Sequence, residues 1–172
     1  HRQESAKAKA DAVRIHLVAI GKRMPSWISD GFSEYAQRLR SSVKLELIEV
    51  ETPRRGSNVD LSRVVREEGA RLLRAAPFGA YRIALDQSGR SYDSESLAVQ
   101  LEKWMTLGRD VVLIVGGPDG LSDEVLASVD QCWSLSPLTL AHPLVRVVIA
   151  EQLYRAYAIS RGLPYHRPGR VS

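Results

Sequence analysis

The sequence has few of the features that crosslink a chain or anchor it in a membrane. It contains one cysteine, Cys132, so no disulfide can form within the chain, which is typical of a protein in a reducing cytoplasm. No apolar run approaches the roughly 18–20 residues that a membrane-spanning helix needs, so no membrane partner is expected. The start, HRQESAKAKADA, lacks the apolar core of a signal peptide. We interpret residues 1–12 as a disordered leader or start-site extension and residues 13–172 as one domain.

Several motifs of known enzyme sites are also absent. The chain has no G-x-x-x-x-G-K-[ST] loop for phosphates and no G-x-G-x-x-G after its first predicted strand. It has no G-x-S-x-G elbow, no H-E-x-x-H and no C-x-x-C. The four histidines are scattered, so we expect no metal site.

Positive charge is in mild excess, with a formal net charge of +4 and an isoelectric point near 9.4. This excess permits a nucleic-acid partner without demanding one. The arginines of the predicted helix after residue 60 are interpreted as a solvated face. Arginines in one loop and in the tail are better candidates for phosphate contacts: Arg54, Arg55, Arg161, Arg167 and Arg170.

Apolar patterning predicts five strands that alternate with helices. The continuous run VVLIV, 111–115, is typical of a central strand buried on both faces, whereas the alternating VKLELIEV, 43–50, indicates a place nearer the edge. The pattern predicts an α/β fold, a single domain with a mostly parallel sheet. Ligands bind beyond the carboxyl ends of such strands. The other predicted strands are 15–20, 81–86 and 133–136, and the strand ends fall at Gly21, Asp86, Gly116–Gly117 and Ser134–Ser136.

The helix from Pro143 to about Arg161 is apolar over most of its circumference. Such a helix is buried on two sides. We expect its own sheet on one side, and a subunit partner is the candidate for the other. Glu151 and Arg155 are spaced i, i+4 with the acid first, which is typical of a surface ion pair. An apolar stripe also marks the helix that starts near Pro25, formed by Trp27, Ile28, Phe32, Tyr35 and Leu39.

Three segments carry the functional signals, and the residues alone leave each of them open. GGPDG, after the fourth strand, fits close approach by a ligand, although a plain strand-to-helix turn is slightly favoured. LSPLTLAHPLVR, 135–146, is too apolar for an ordinary surface loop. The tail LPYHR is equally compatible with a site and with an untethered terminus.

Together these segments resemble one family. IHLVAIGK, FSEYAQRL, LIVGGPDGLS, WSLSPLTLAHPLVRVVIAEQLYRAYAI and PYHR occur in the order found in the large-subunit (23S) rRNA pseudouridine-N3 methyltransferases of the SPOUT, or α/β-knot, superfamily. The resemblance covers about residues 13 to 167. It implies a C-terminal deep trefoil knot, S-adenosylmethionine as cofactor without a metal, and an obligate homodimer in which the partner completes each active site.

The resemblance also implies site residues. Arg155, Tyr165 and His166 are the catalytic candidates: Arg155 for orientation and charge, and His166 as base or substrate clamp. His142 is assigned a structural role at the start of the last helix. Ala141 stands where a proline is common, and the family usually ends before the PGRVS extension. The cofactor positions are Leu85, Gly116, Leu135, Ser136, Pro137, Leu138, Thr139 and Leu140.

The function implied is methylation of N3 of a pseudouridine in helix 69 of large-subunit rRNA, in the ribosome and the cytoplasm. The alternative is a catalytically idle RNA- or ribosome-binding α/β module. A third hypothesis is a small-molecule-binding protein of flavodoxin-like type, which would need no basic tail.

Overall fold

A computed structural model describes residues 12–39, 42–54, 56, 58 and 60–167. The predicted leader, except Ala12, lies outside the described residues, as do Arg55, Arg170 and the PGRVS extension. The strands are β1 Val13–Ile20, β2 Val43–Val50, β3 Tyr81–Ser91, β4 Val111–Val115 and β5 Gln131–Ser134. The helices are α1 Ser26–Arg38, α2 Leu61–Ala75, α3 Ser94–Met105, α4 Asp123–Ser128 and α5 His142–Arg161.

The five strands form one parallel sheet in the order β2-β1-β4-β3-β5. β4 lies at the centre of the sheet with all five of its residues buried, and β2 lies at one edge. These positions confirm the predictions of a central VVLIV strand and of a VKLELIEV strand nearer the edge. β5 ends at Ser134, so the predicted strand 133–136 was wrong at its end: Leu135 and Ser136 already belong to the following connector. β3 continues past Asp86, with a register shift against β5 between Leu85 and Arg90.

Helices cover both faces of the sheet because alternate strand residues point to opposite sides. Leu17 packs into the core under α1, α3 and α5, whereas its neighbour Val18 packs into the core under α2 and α4. The described chain is therefore a single three-layer α/β domain, as the alternating pattern predicted.

α5 lies between α1 and α3 on one face of the sheet. Pro143 occupies its first turn, where the missing N–H of proline costs no helical bond, and Gly162 ends it with φ 67°. A Cβ built on Gly31 of α1 would lie 3.3 Å from Val147. α1 of the same chain therefore packs against the second apolar side of α5, which is still only partly buried at Val147, Tyr154 and Tyr157.

The outer ends of α1 and α5 remain apolar and accessible. Ile28, Phe32 and Leu39 are buried as the α1 stripe predicted, but Trp27 is 62% exposed. Trp27 and Leu144 each precede the close pair Gly31–Val147 by about one turn. Because both helices start at the carboxyl edge of the sheet, these two side chains lie at the same end of the α1–α5 seam.

No helix within the described ranges is long and apolar enough to cross a membrane.

Candidate functional site

A cavity of about 420 Å³ opens at the carboxyl ends of β3, β4 and β5. Three segments line it: residues 85–87, 115–121 and most of 134–145. Seven of the eight predicted cofactor positions are in its wall, and the eighth, Pro137, is exposed in the same loop just outside it. The residues that the sequence predicted as one site therefore converge at this edge.

The GGPDG turn connects β4 to α4 and forms one side of the cavity. A Cβ built on Gly116 would lie 2.7 Å from the carbonyl oxygen of Gly120, and Gly120 itself has φ 84°. Both positions need glycine for the turn's own packing, as the plain-turn interpretation requires. Gly116 also lines the cavity, so the turn also places backbone atoms at the cavity surface.

The connector 135–141 is held by hydrogen bonds at both sides. The Ser136 hydroxyl accepts from the backbone N–H of Leu138 at 3.0 Å, and the Gln87 amide donates to the Thr139 hydroxyl at 3.3 Å. Leu135 packs against the core while Leu138 is 71% exposed. The apolar residues of this loop thus form one cavity wall, which explains why so apolar a segment lies at the surface.

Arg146 fixes the start of α5 to the ends of β1 and β2. Its guanidinium, 1% exposed, donates to Glu49 Oε2 at 2.7 Å and to the carbonyls of Ile20 at 3.2 Å and Gly21 at 2.7 Å. Burial, and then the charge of Arg146, lower the pKa of His142. His142 is the first residue of α5, as predicted, but it also lines the cavity.

Our sequence reasoning missed Arg146. An arginine three residues before Ile149, inside the apolar repeat of α5, was the available signal. A charge at a buried position must find partners.

A second cluster lies near the other end of α5 and is centred on Glu151. Its carboxylate accepts from Arg155 Nη2 at 2.6 Å, from Arg155 Nε at 3.1 Å and from the Tyr165 hydroxyl at 3.1 Å. Arg155 Nη1 lies 3.1 Å from His166 Nδ1 and its guanidinium stacks 4.8 Å from the Tyr165 ring centre. The three catalytic candidates are therefore in mutual contact, and the predicted Glu151–Arg155 pair is present but half-buried.

The phenol of Tyr165 is kept protonated in this cluster. Burial, followed by the negative charge of Glu151, raises its pKa to about 12. Tyr165 also packs edge-on against Tyr154, with ring centres 4.7 Å apart. The tail is thereby tethered to α5 as far as His166, which excludes the untethered-terminus interpretation for these residues.

The two clusters are well separated within one chain. His142 and Arg155 stand at opposite parts of α5, and at about 1.5 Å of rise per residue their separation along the helix is roughly 20 Å. None of Arg155, Tyr165 and His166 lines the cavity. One chain alone therefore does not bring the predicted catalytic and cofactor residues together.

No group of three or more metal-ligating side chains occurs in the described part of the chain. The burial of Cys132 raises the pKa of its thiol, which disfavours the reactive thiolate.

Comparison with protein families and curated proteins covers nearly the whole described chain. Residues 13–166 match a family described as predicted SPOUT methyltransferase. A protein of Thioalkalivibrio sulfidiphilus named ribosomal RNA large subunit methyltransferase H is 51% identical over 155 residues, covering 90% of this chain and 99% of the relative. A protein of the same name from Hahella chejuensis is 48% identical over 155 residues with the same coverage.

Solved structures agree on the fold. A probable methyltransferase from Bordetella pertussis Tohama I aligns with a TM-score of 0.52 at 16% identity, covering 88% of this chain and 98% of that one. A tRNA (m1G37) methyltransferase from Aquifex aeolicus aligns with a TM-score of 0.50 at 17% identity, covering 94% of this chain and 75% of that one.

Proposed function

The chain belongs to the SPOUT methyltransferase family, and we propose that it transfers a methyl group from S-adenosylmethionine to N3 of a pseudouridine in helix 69 of large-subunit rRNA. The observation that carries the proposal is the convergence of seven predicted cofactor positions on one cavity. Relatives about half identical and of nearly equal length are named as large-subunit rRNA methyltransferases. The assembled ribosome in the cytoplasm is the proposed substrate.

The residues of the cavity fit S-adenosylmethionine. A volume of about 420 Å³ lies in the range typical of small-molecule sites. Leu135, Leu138 and Leu140 offer apolar faces to a flat adenine, and the backbone at Gly116 is open to close approach. Asp86 and Asp119 belong to the lining, and among the described residues no lysine or arginine lines it, which suits a cationic ligand. When bound, the cofactor supplies a methyl group already activated by its positively charged sulfur.

We propose that two copies of the chain are needed for one complete site. A two-fold axis across the outer face of α5 would set the His142 end of one copy beside the Arg155 end of the other, because such an axis pairs each surface with itself in reverse. Trp27 and Leu144, exposed beside the cavity end, supply apolar area for that contact. This arrangement would bring together the cavity and the cluster, although His142 and Arg155 of one chain lie roughly 20 Å apart along α5.

The catalytic cluster then has a chemical division of labour. Arg155 stabilises the negative charge that develops on the base as its N3 proton leaves, while the Tyr165 hydroxyl donates its one proton to Glu151. His166 takes the proton or clamps the base. The Nδ1 atom of His166 faces the Arg155 donor at 3.1 Å, so His166 can accept a proton at Nδ1 only when Arg155 turns to the substrate. Glu151 holds the arginine and the tyrosine in position.

We also propose that the C-terminal part of the chain passes through a loop to form the family's deep trefoil knot. Membership of the SPOUT methyltransferase family supports this proposal.

The test combines activity with complementation between copies. Ribosomes from a strain lacking the enzyme are incubated with the cofactor and with wild type, a cavity variant (Leu138→Arg), a cluster variant (Arg155→Ala) or a mixture of both variants. Each variant alone should be inactive, whereas mixed dimers contain one intact site, so the mixture should regain about a quarter of wild-type activity after random exchange. Methylation of another base by wild type would refute the substrate, and an inactive mixture whose mixed dimers form would refute the shared site.

A further inference from the structure

We propose that the loops after β1 and β2 form a phosphate-contacting face for the RNA substrate, with Lys22, Arg23 and Arg54 as its cations. This basic loop face rests on the proposed function, since it assigns a binding surface to the same RNA. The three side chains are exposed at the carboxyl edge of the sheet, the edge at which the cavity opens.

The two loops are joined to each other and to the cavity wall. The Gly21 N–H donates to the Val50 carbonyl at 2.8 Å, which ties the ends of β1 and β2 together. A Cβ built on Gly21 would lie 3.9 Å from His142 Nε2, and His142 lines the cavity. Lys22 and Arg23 therefore stand next to the rim of the proposed methyl-transfer site.

The charge of the face is largely uncompensated. Among the described residues, Lys22, Arg23 and Arg54 have no ion pair. Elsewhere on the surface Arg38 pairs with Glu34 and Arg63 pairs with Glu67, while Lys44, Arg74 and Lys103, like the cations of the face, have no ion pair among the described residues.

The acidic groups near the face are few. The Glu49 carboxylate is taken by Arg146, and that of Asp60 caps α2 by accepting from the Ser62 N–H. Glu51 is the remaining acid among the described positions of the two loops. Exposed cations without acidic partners are the usual phosphate contacts of nucleic-acid-binding proteins.

The backbone of Arg23 is a second, independent sign. Its φ of 61° is the only left-handed value at a non-glycine residue in the described chain. Such a conformation is unfavourable for a side chain with a Cβ, and glycine or asparagine would adopt it more easily. A strained arginine beside a site points to use of its guanidinium.

RNA is the occupant that the charges favour. Phosphates would neutralise the three cations, whereas a second copy of the chain brings the same positive loops and an excess positive charge of its own. The cavity and the basic loop face also differ in charge, as expected if one binds the cofactor and the other binds RNA. Asp86 and Asp119 line the cavity, and no lysine or arginine from the described part of the chain does so, which suits a cationic cofactor, while the cations outside it suit an anionic RNA.

The test compares two variants that lose equal charge. One carries Lys22→Gln, Arg23→Gln and Arg54→Gln; the control carries Lys44→Gln, Arg74→Gln and Lys103→Gln, which are exposed cations at the other edge of the sheet. Ribosome binding is measured against salt concentration without the cofactor, together with dimer formation and S-adenosylmethionine affinity. Single Lys22→Gln and Arg54→Gln variants guard against a folding defect in the triple variant.

The face variant should bind ribosomes at least about tenfold more weakly than the control, with a log–log salt slope shallower by about two. Its cofactor affinity and dimer formation should match wild type. Equal ribosome binding by both triple variants would overturn the proposal, and so would loss of the dimer in the face variant, which would make a second copy the occupant. A wild type that binds ribosomes through this face without methylating them would refute the proposed function and leave the face standing.

Discussion

The cavity at the carboxyl edge of the sheet and the cluster on the second half of α5 are made of different kinds of chemical group. The cavity is made of backbone and small or apolar side chains, supplied by turns that need glycine at Gly116 and Gly120. The cluster is made of four polar or aromatic side chains in direct contact, Glu151, Arg155, Tyr165 and His166. The first has the shape and lining of a binding site, and the second holds groups that can move or stabilise charge. The comparison teaches that the two kinds of group lie apart within one chain, and the proposed two-fold contact would bring them together.

The largest effect is expected at Arg155, where a substitution tests whether the cluster acts separately from the cavity. Arg155→Ala should lower methyl transfer by about two to three orders of magnitude, because a charge-stabilising donor in the transition state is lost. S-adenosylmethionine affinity, measured by calorimetry, should stay within twofold, since the cavity lies far from the cluster. Arg74→Ala, an exposed arginine of α2 on the face interpreted as solvated, is the control and should retain activity. A large loss of cofactor affinity in Arg155→Ala would show that the two regions are not separate.

A substitution at Leu138 tests the cavity in the corresponding way. Leu138→Arg should weaken cofactor binding by about tenfold or more, because an apolar wall is lost and a positive charge is added against a cationic ligand. Folding should be unaffected, as the side chain is 71% exposed. Leu163→Arg, at the other end of α5, is the matched control. If wild type itself binds no cofactor at millimolar concentration, the idle RNA-binding module becomes the better hypothesis.

Trp27 can test the proposed two-fold contact between copies. Trp104 and Trp133 are each 2% exposed, whereas Trp27 is 62% exposed in the single chain. If the two-fold contact covers Trp27, acrylamide should quench its fluorescence a few-fold less at high protein concentration than after dilution. Trp27→Phe should abolish the difference. Strong quenching at every concentration would place Trp27 outside the contact.

The smallest effect is expected inside the cluster. Glu151→Gln removes a negative charge next to Tyr165, so the Tyr165 pKa should fall from about 12 toward its ordinary value, as followed by phenolate absorbance. It should not reach that value, because burial is the larger cause. The wild-type pKa is raised in the folded state, so this contribution to stability is present below the unfolded value and is lost as pH rises from about 10 to about 12. Glu95→Gln, at an exposed carboxylate near His166, should change neither quantity.

Much of the fold was readable from local patterns. The five strands, the central place of VVLIV and the helix limits near Pro143 and Gly162 follow from periodicity and capping, which act over a few residues. Trp27 was placed with the apolar stripe because helical spacing alone cannot tell whether a terminal turn reaches past the sheet. Similarly, the second apolar side of α5 pointed to a subunit partner, and part of that side packs against α1 of the same chain.

The candidate site was predictable only in part. The cofactor positions came from the resemblance, and the cavity brings them together because neighbouring parallel strands end at one edge. Arg146 was missed because its three acceptors are more than 90 residues away along the chain. The separation of Arg155 from the cavity was likewise invisible, since it depends on the direction of α5 over the sheet.

The sequence by itself determined the alternation of elements, the glycine turns and the chemical kinds of side chain available, because these follow from local sterics and solubility. It also determined that LSPLTLAHPLVR would be an apolar connector that begins a helix. Only the tertiary structure decided that this connector is a cavity wall, that Arg146 fixes the start of the helix after it, and that Arg155, Tyr165 and His166 meet outside the cavity. These outcomes depend on contacts between segments that are far apart in the sequence, and such contacts produce no periodic pattern of residues.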